Sequence, residues 1–219
     1  MLNNSAQNYG IRQINAGNTA FLAELFNNYK TLLQTGLIYD GAFLTQADYR
    51  NTITAGLRMK EYAWVEAFIH GQKQHLDPRH RNNTFSYNLA NFYYQTGAPA
   101  RAKRLLQSVE FTDVFYGLNA RAILVQVYYE DEDDDALLDL LRAFKAYLER
   151  HRKALNYQYE LYNNLIRAAK KLQRLRVGKP LRASSPWKGK VQQFQQELAG
   201  QKVNRGGWLG KQLELLVAG

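Results

Sequence analysis

The side chains that could do chemistry are few and scattered. The chain has four histidines, His70, His75, His80 and His151, and no cysteine. The first three are five residues apart, which does not place them on one helix face and does not match the ligand spacing of known zinc motifs. The lack of cysteine excludes thiolate metal sites, disulfides and a cysteine nucleophile. We therefore predict no metal site and interpret the histidines as structural.

The densest group of carboxylates is the acidic run Glu130–Asp135. Such oxygens can bind calcium, but an EF-hand counted from Asp131 needs a glycine where Ala136 stands and a bidentate glutamate where Arg142 stands. Aspartates at the start of a helix instead cap it and interact favourably with its dipole. We therefore predict a turn here, followed by the start of a helix.

Motifs of known catalytic sites are missing. The serines, at positions 5, 86, 108, 184 and 185, never stand in a Gly-x-Ser-x-Gly setting. The pair Gly178-Lys179 lacks the upstream glycine and the following Ser or Thr of a phosphate-binding loop, and no Gly-x-Gly-x-x-Gly occurs. We predict a non-enzymatic protein with no catalytic residue and no cofactor.

Positive charge is concentrated in the last third of the chain. The formal net charge is +10, yet residues 1–149 hold 14 Lys and Arg against 16 Asp and Glu, while residues 150–219 hold 15 against 3. In the stretch 167–176 the basic residues would lie on one side of a helix and the leucines on the other. This asymmetry indicates an acidic partner, nucleic acid or an anionic surface. The alternative is a solvated basic face that keeps the protein soluble.

The elements that must position these groups are helices. Apolar residues recur at three- and four-residue steps, as in Leu25, Tyr29 and Leu32, and 46% of the chain is hydrophobic, enough for a sizeable core. Most of the 15 Tyr and 10 Phe fall on the apolar faces, so we interpret them as core and not as base-stacking platforms. Helices are predicted over 19–34, 45–57, 60–73, 84–95, 99–108, 115–129, 134–150, 155–174, 187–199 and 206–216.

Two predicted helical hairpins repeat one pattern at an offset of 35 residues. The first copy consists of Leu89, Ala90, Tyr93, Gly97, Ala102 and Leu106, and the second of Leu124, Val125, Tyr128, Glu132, Leu137 and Leu141. The period and the order of residue types resemble tetratricopeptide repeats, which are about 34 residues long. The second copy departs from that family at Glu132, where a turn glycine is expected, and at Leu137, where a small residue is expected.

The resemblance implies an all-α fold. Antiparallel helix pairs would stack as a tetratricopeptide-like superhelix, or solenoid, because one pair cannot bury its apolar face alone. We predict this repeat domain over residues 1–176. Residues 177–219 would form a linker and a C-terminal helical hairpin that caps the same domain. The chain is also similar to the C-terminal portion of longer uncharacterised bacterial proteins of helical-repeat type, which implies no activity.

In tetratricopeptide proteins the first helices of successive repeats line a concave groove. The resemblance therefore implies a protein–protein interaction module or scaffold that binds a protein or peptide with an acidic end. Asn and Gln suit a peptide backbone, and Arg and Lys suit carboxylates or phosphates. The predicted partner-binding residues are Tyr87, Asn91, Tyr94, Gln95, Gln126, Tyr129, Asn163, Arg167, Lys170 and Lys171.

Two other functions stay open at this point. The basic last third could bind nucleic acid, which would make the affinity fall steeply with salt. The chain could also be a purely structural part of a larger scaffold. The first residues lack the features of a secretion signal, and no apolar run approaches the ~18 residues of a membrane span, so we expect a soluble, cytoplasmic protein. The sequence does not indicate the oligomeric state.

Overall fold

The computed structural model is almost entirely helical and describes residues 20–109, 111, 113–180 and 184–218. Eleven α-helices and one two-stranded sheet lie in these residues, so the all-α prediction is confirmed at the level of fold class. The chain divides into two compact units, Met1–Glu110 and Phe111–Gly219. No helix in the described part of the chain is both long enough and apolar enough to cross a membrane.

The described residues of the first unit form five α-helices and a short hairpin. The helices are α1 (Phe21–Gln34), α2 (Gln46–Arg58), α3 (Tyr62–Gly71), α4 (Arg81–Gln95) and α5 (Pro99–Ser108), with a 3-10 turn at Lys73–His75. Strands β1 (Tyr39–Asp40) and β2 (Phe43–Leu44) pair antiparallel between α1 and α2.

The core of the first unit is centred on α2. Thr45 caps its N-terminus, because the side chain of Thr45 accepts a hydrogen bond from the backbone N–H of Asp48 at 3.0 Å. Gly56 permits close packing, since a Cβ added there would lie 2.4 Å from Cγ2 of Val65 and 3.0 Å from Cε2 of Phe26. Helix α2 therefore packs closely against both α1 and α3.

Six helices lie in the part of the second unit that the structure describes. They are α6 (Val114–Glu130), α7 (Asp134–Arg150), the single turn α8 (Arg152–Leu155), α9 (Tyr157–Val177), α10 (Ser185–Ala199) and α11 (Gly206–Ala218). Helix α9 packs against α6, α7 and α11, and α10 packs against α11. The core face of α7 shows the predicted helical period, because Leu137, Leu141, Phe144 and Leu148 are all fully buried.

Three helical hairpins close with the same turn. In the α4–α5 turn, Gly97 has φ +81° and its N–H donates to the carbonyl of Tyr94, while the N–H of Ala98 donates to the carbonyl of Tyr93. These two bonds define a Schellman motif, in which the residue after the helix is left-handed. The matching bonds recur at Glu132 (φ +56°) between α6 and α7 and at Lys60 (φ +61°) between α2 and α3.

The acidic run closes α6 and opens α7, as predicted from the sequence. Asp133 is the N-cap of α7, and its carboxylate accepts a hydrogen bond from the backbone N–H of Ala136 at 3.2 Å. Asp134 and Asp135 lie in the first turn, where negative charge interacts favourably with the helix dipole.

Every predicted helix has an observed counterpart whose ends lie within three residues of the predicted ones. The β-hairpin, the 3-10 turn and α8 were not predicted. The compact units divide at 110/111, whereas the sequence predicts a boundary at 176/177. Residues of the predicted C-terminal cap pack in the second unit, with α10 against α11 and α11 against α9.

Candidate functional site

Helix α9 carries a basic stripe on the side opposite its core face. Its interior side is formed by Leu165, Ala169 and Leu172, which are fully buried. Side chains three or four positions apart share a face, so the cations at 167, 170, 171 and 174 form one row. Arg167 and Arg174 are exposed, and Lys170 and Lys171 are half-buried.

Helix α10 forms the opposite wall. Phe194 is buried, with 3% of its surface exposed, and the ammonium of Lys171 lies 4.7 Å from the centre of its ring. The same ammonium donates a hydrogen bond to Oε2 of Glu197 at 2.5 Å. The amide of Gln193 donates to the other carboxylate oxygen, at 3.2 Å. The hydrogen bond from Lys171 holds the pKa of the Glu197 carboxyl below its ordinary value, so this carboxylate is charged at neutral pH.

These two walls enclose a cavity of about 380 Å³. We call it the basic groove. Four cations and one carboxylate line it, so it attracts anions. The lining residues are Asn164, Arg167, Ala168, Lys170, Lys171, Arg174, Phe194, Glu197 and Gln201.

Contacts at the C-terminal end of α9 hold the basic stripe in place. Arg176, with 14% of its side chain exposed, donates hydrogen bonds to the carbonyl of Tyr129 and to the carboxylate of Asp134. Its guanidinium also stacks 4.2 Å from the centre of the Tyr129 ring. The indole N–H of Trp187 in α10 donates to the carbonyl of Leu175 at 3.2 Å. The end of α9 is thereby fixed both to the α6–α7 turn and to α10.

A second polar cluster lies between α7 and α9. The ammonium of Lys145 donates to Oδ1 of Asn163 (2.8 Å) and to the hydroxyl of Tyr159 (3.0 Å), and it lies 2.7 Å from Oε1 of Glu149. The Tyr159 hydroxyl donates to the same Glu149 oxygen at 2.6 Å. Partial burial alone lowers the pKa of Lys145, but the bonds to Glu149 and Tyr159 outweigh it and raise that pKa. The cluster joins α7 to α9 through the hydrogen bonds from Lys145 to Asn163 and Tyr159 and from Tyr159 to Glu149.

The predicted partner-binding residues are distributed over both units. On α4 in the first unit, Tyr87 is buried, Asn91 and Tyr94 are half-buried, and Gln95 is exposed. All four of these residues belong to the first compact unit.

The other six lie in the second unit. On α6, Gln126 and Tyr129 are buried, each with 3% of its surface exposed. Asn163 belongs to the polar cluster around Lys145. The remaining three, Arg167, Lys170 and Lys171, are brought together in the basic groove.

Six groove residues were not among the predicted site residues: Asn164, Ala168, Arg174, Phe194, Glu197 and Gln201. The apolar spacing in α10 places Phe194 on the apolar face of that helix, but no sequence signal indicates that Glu197 faces Lys171. Within the residues that the structure describes, no three His, Asp or Glu side chains lie close enough to hold a metal ion. No protein family, curated protein or solved structure matches this chain.

Proposed function

We propose that the second unit is a non-enzymatic binding module whose basic groove takes an acidic segment of a protein partner. The observation that carries this proposal is the convergence of Arg167, Lys170, Lys171 and Arg174 on one cavity. Like charges held close together repel each other, and a cleft with walls of low dielectric strengthens their field. A bound anion would relieve that repulsion.

Within the described part of the chain, three of these four cations have no carboxylate as an ion-pair partner. Lys171 pairs with Glu197, but no described carboxylate forms an ion pair with Arg167, Lys170 or Arg174. From position 167 to position 174 the stripe rises by about 10 Å, the length of roughly three residues of an extended peptide. A short run of acidic residues would therefore match the row of cations.

The contact between Lys171 and Glu197 supports a carboxylate ligand. It joins a side chain of α9 to one of α10 and sits at the groove lining. The groove thus already accommodates one carboxylate bound to an ammonium, with a neighbouring amide from Gln193 as a second donor. Guanidinium groups add two-pronged donors for further carboxylates.

The repeated hairpin supports the tetratricopeptide-like assignment, which we also propose. Corresponding positions have similar burial in the two copies: Ala90 and Val125 are fully buried, as are Ala102 and Leu137. Residues 97 and 132 both have positive φ in the same turn. A stacked solenoid and a scaffold role are further parts of this proposal and follow from the resemblance.

The proposal is tested with two pairs of charge-neutralising variants. Lys170→Gln with Arg174→Gln removes two cations from the groove, whereas Lys188→Gln with Lys190→Gln removes two exposed cations of α10 that lie outside it. Binding of a fluorescent acidic peptide to the full chain would be measured by anisotropy at fixed salt. We expect about a tenfold weaker affinity for the first pair, because each lost charge contact reduces affinity severalfold.

Two outcomes would contradict the proposal. If both double variants lost the same amount of peptide affinity, the positive charge would act only as a solvated basic face and the groove would not be a defined binding site. Tighter binding of a labelled RNA or DNA oligonucleotide than of the peptide, lost steeply with salt, would assign the groove to nucleic acid.

A further inference from the structure

A second cavity, of about 650 Å³, lies beside the basic groove. Helices α9, α10 and α11 and the segment 200–205 form its walls. Three leucines, one valine and one alanine line it together with two glutamines and two glycines, and the charged residues of the lining are Lys202 and Glu214. We call it the apolar cavity. Its lining residues are Leu161, Gln195, Leu198, Ala199, Gln201, Lys202, Val203, Gly206, Gly210, Leu213 and Glu214.

Glycines on α11 keep this cavity open. Gly206 and Gly210 lie four residues apart and therefore on one face of the helix. A Cβ added at Gly210 would meet no atom within 4 Å, whereas one added at Gly206 would lie 3.2 Å from Cγ1 of Val203. The space in front of Gly210 is thus unfilled by the described chain.

Hydrogen bonds fix the loop that closes the cavity. The side-chain amide of Asn164 donates to the carbonyl of Lys202 at 3.0 Å. The backbone N–H of Asn204 donates to the carbonyl of Leu161 at 3.1 Å. Both bonds join the segment 200–205 to α9, so this wall is formed before any ligand arrives.

The two cavities meet at the C-terminal end of α10. Phe194 and Glu197 face the basic groove, while Gln195 and Leu198 face the apolar cavity. Gln201 lines both. From Phe194 to Ala199, where α10 ends, the helix rises by only about 8 Å, so a peptide of a few residues could cross Gln201 and enter both cavities.

We propose that the apolar cavity binds one bulky apolar side chain of the same segment whose acidic residues occupy the basic groove. This inference rests on the function proposed above. The partner is then an acidic peptide with a Leu, Phe or Trp a few residues from its carboxylates. Charge complementarity selects the acidic part, and the apolar lining selects the anchor. Nucleic acid has no aliphatic side chain to offer this lining.

Anchors of this kind contribute much of the affinity of a peptide. One large apolar side chain that moves from water into an apolar cavity strengthens binding by about tenfold or more. Such residues commonly act as the energetic centre of an interface, surrounded by polar contacts of smaller effect. We therefore expect the anchor to add more affinity than any single carboxylate.

The test uses two peptides and three glycine variants of the full chain. One peptide carries only acidic residues, and the other carries the same residues and one Leu or Trp at varied spacing. Gly210→Leu places a large side chain in the apolar cavity, and Gly210→Ala places a small one there. Gly207→Leu is the matched control, because Gly207 is an exposed residue of the same helix, has no atom within 4 Å of an added Cβ, and does not line the cavity.

On the natural chain we expect the anchored peptide to bind about tenfold or more tightly than the acidic one. Gly210→Leu should abolish that gain and leave the acidic peptide unchanged, Gly210→Ala should reduce the gain, and Gly207→Leu should keep it. Circular dichroism of each variant verifies that the helices are intact.

The possible failures are distinguishable. Equal affinities of the two peptides on the natural chain would overturn the anchor site and leave the basic groove standing. A gain that survives in Gly210→Leu would also overturn it, since the anchor would then lie elsewhere. If neither peptide binds, the function proposed for the groove fails as well.

Discussion

Replacing Glu132 by glycine should stabilise the second unit. Glu132 closes the α6–α7 hairpin with φ +56°, in the same hydrogen-bonded turn that Gly97 closes at φ +81°. The left-handed conformation costs a residue with a Cβ about 1–2 kcal/mol. Glycine avoids this strain but loses about 0.5–1 kcal/mol more backbone entropy on folding. The expected net gain is about 0.5–1 kcal/mol in the free energy of unfolding.

The measurement must separate conformation from charge, because Glu132 lies in an acidic run. Glu132→Gln removes the charge and keeps the Cβ, so the comparison that matters is glycine against glutamine. Trp187 and Trp208 lie in the second unit and Trp64 in the first. Urea unfolding followed by tryptophan fluorescence in a Trp64→Phe background therefore reports on the second unit alone.

The glutamine variant should show only the effect of removing one carboxylate from a crowded run. The glycine variant should exceed the glutamine variant in stability by the stated margin. A glycine variant no more stable than the glutamine variant would refute the reasoning, because it would mean that positive φ at position 132 carries no strain.

Two further predictions concern ionisable side chains. Glu197→Gln should tighten binding of the acidic peptide about two- to fivefold, because Glu197 competes with the ligand for Lys171. The control, Glu160→Gln, makes the same charge change at an exposed position of α9 and should tighten binding less. Equal effects of the two variants would show that Glu197 does not compete with the ligand. Burial raises the pKa of Tyr129 to about 12, so its neutral form adds stability below about pH 10 that is lost between about pH 10 and 12. Tyr129→Phe should remove one late-ionising phenol from a tyrosinate absorbance titration, and an unchanged titration would contradict this.

Local signals in the sequence explain why the helices could be predicted. Apolar spacing, the Thr45 cap and the aspartates at the start of α7 all act within a few residues, so they can be recognised without the fold. The strands of the hairpin are two residues long and α8 has four residues, which is too short for any periodic pattern.

The groove could be predicted only on one side. Arg167, Lys170 and Lys171 are recognisable as a stripe because they lie on a single helix. Their pairing with α10 depends on how two helices distant in sequence pack, and Glu197 therefore could not be assigned to the site. At position 132 the sequence pattern suggests a difference that the backbone does not show. A glutamate stands where the repeat has a glycine, but the chain forms the same turn with positive φ. The turn tolerates glutamate because the backbone strain is small compared with the stability of a folded unit.

The hydrogen bond from Trp187 to the carbonyl of Leu175 has a consequence for the kinetics and entropy of binding. The last carbonyls of a helix lack partners within it, and the buried indole of Trp187 supplies one here, so separating α10 from α9 would break this hydrogen bond and expose the indole to water. The walls of the groove are therefore preorganised. A ligand would lose freedom of its own backbone, and the protein would lose only the rotamer freedom of a few basic side chains, about 0.5–1.5 kcal/mol for each one immobilised. Association should then proceed without a preceding conformational step, at a rate set by electrostatic attraction and reduced by salt.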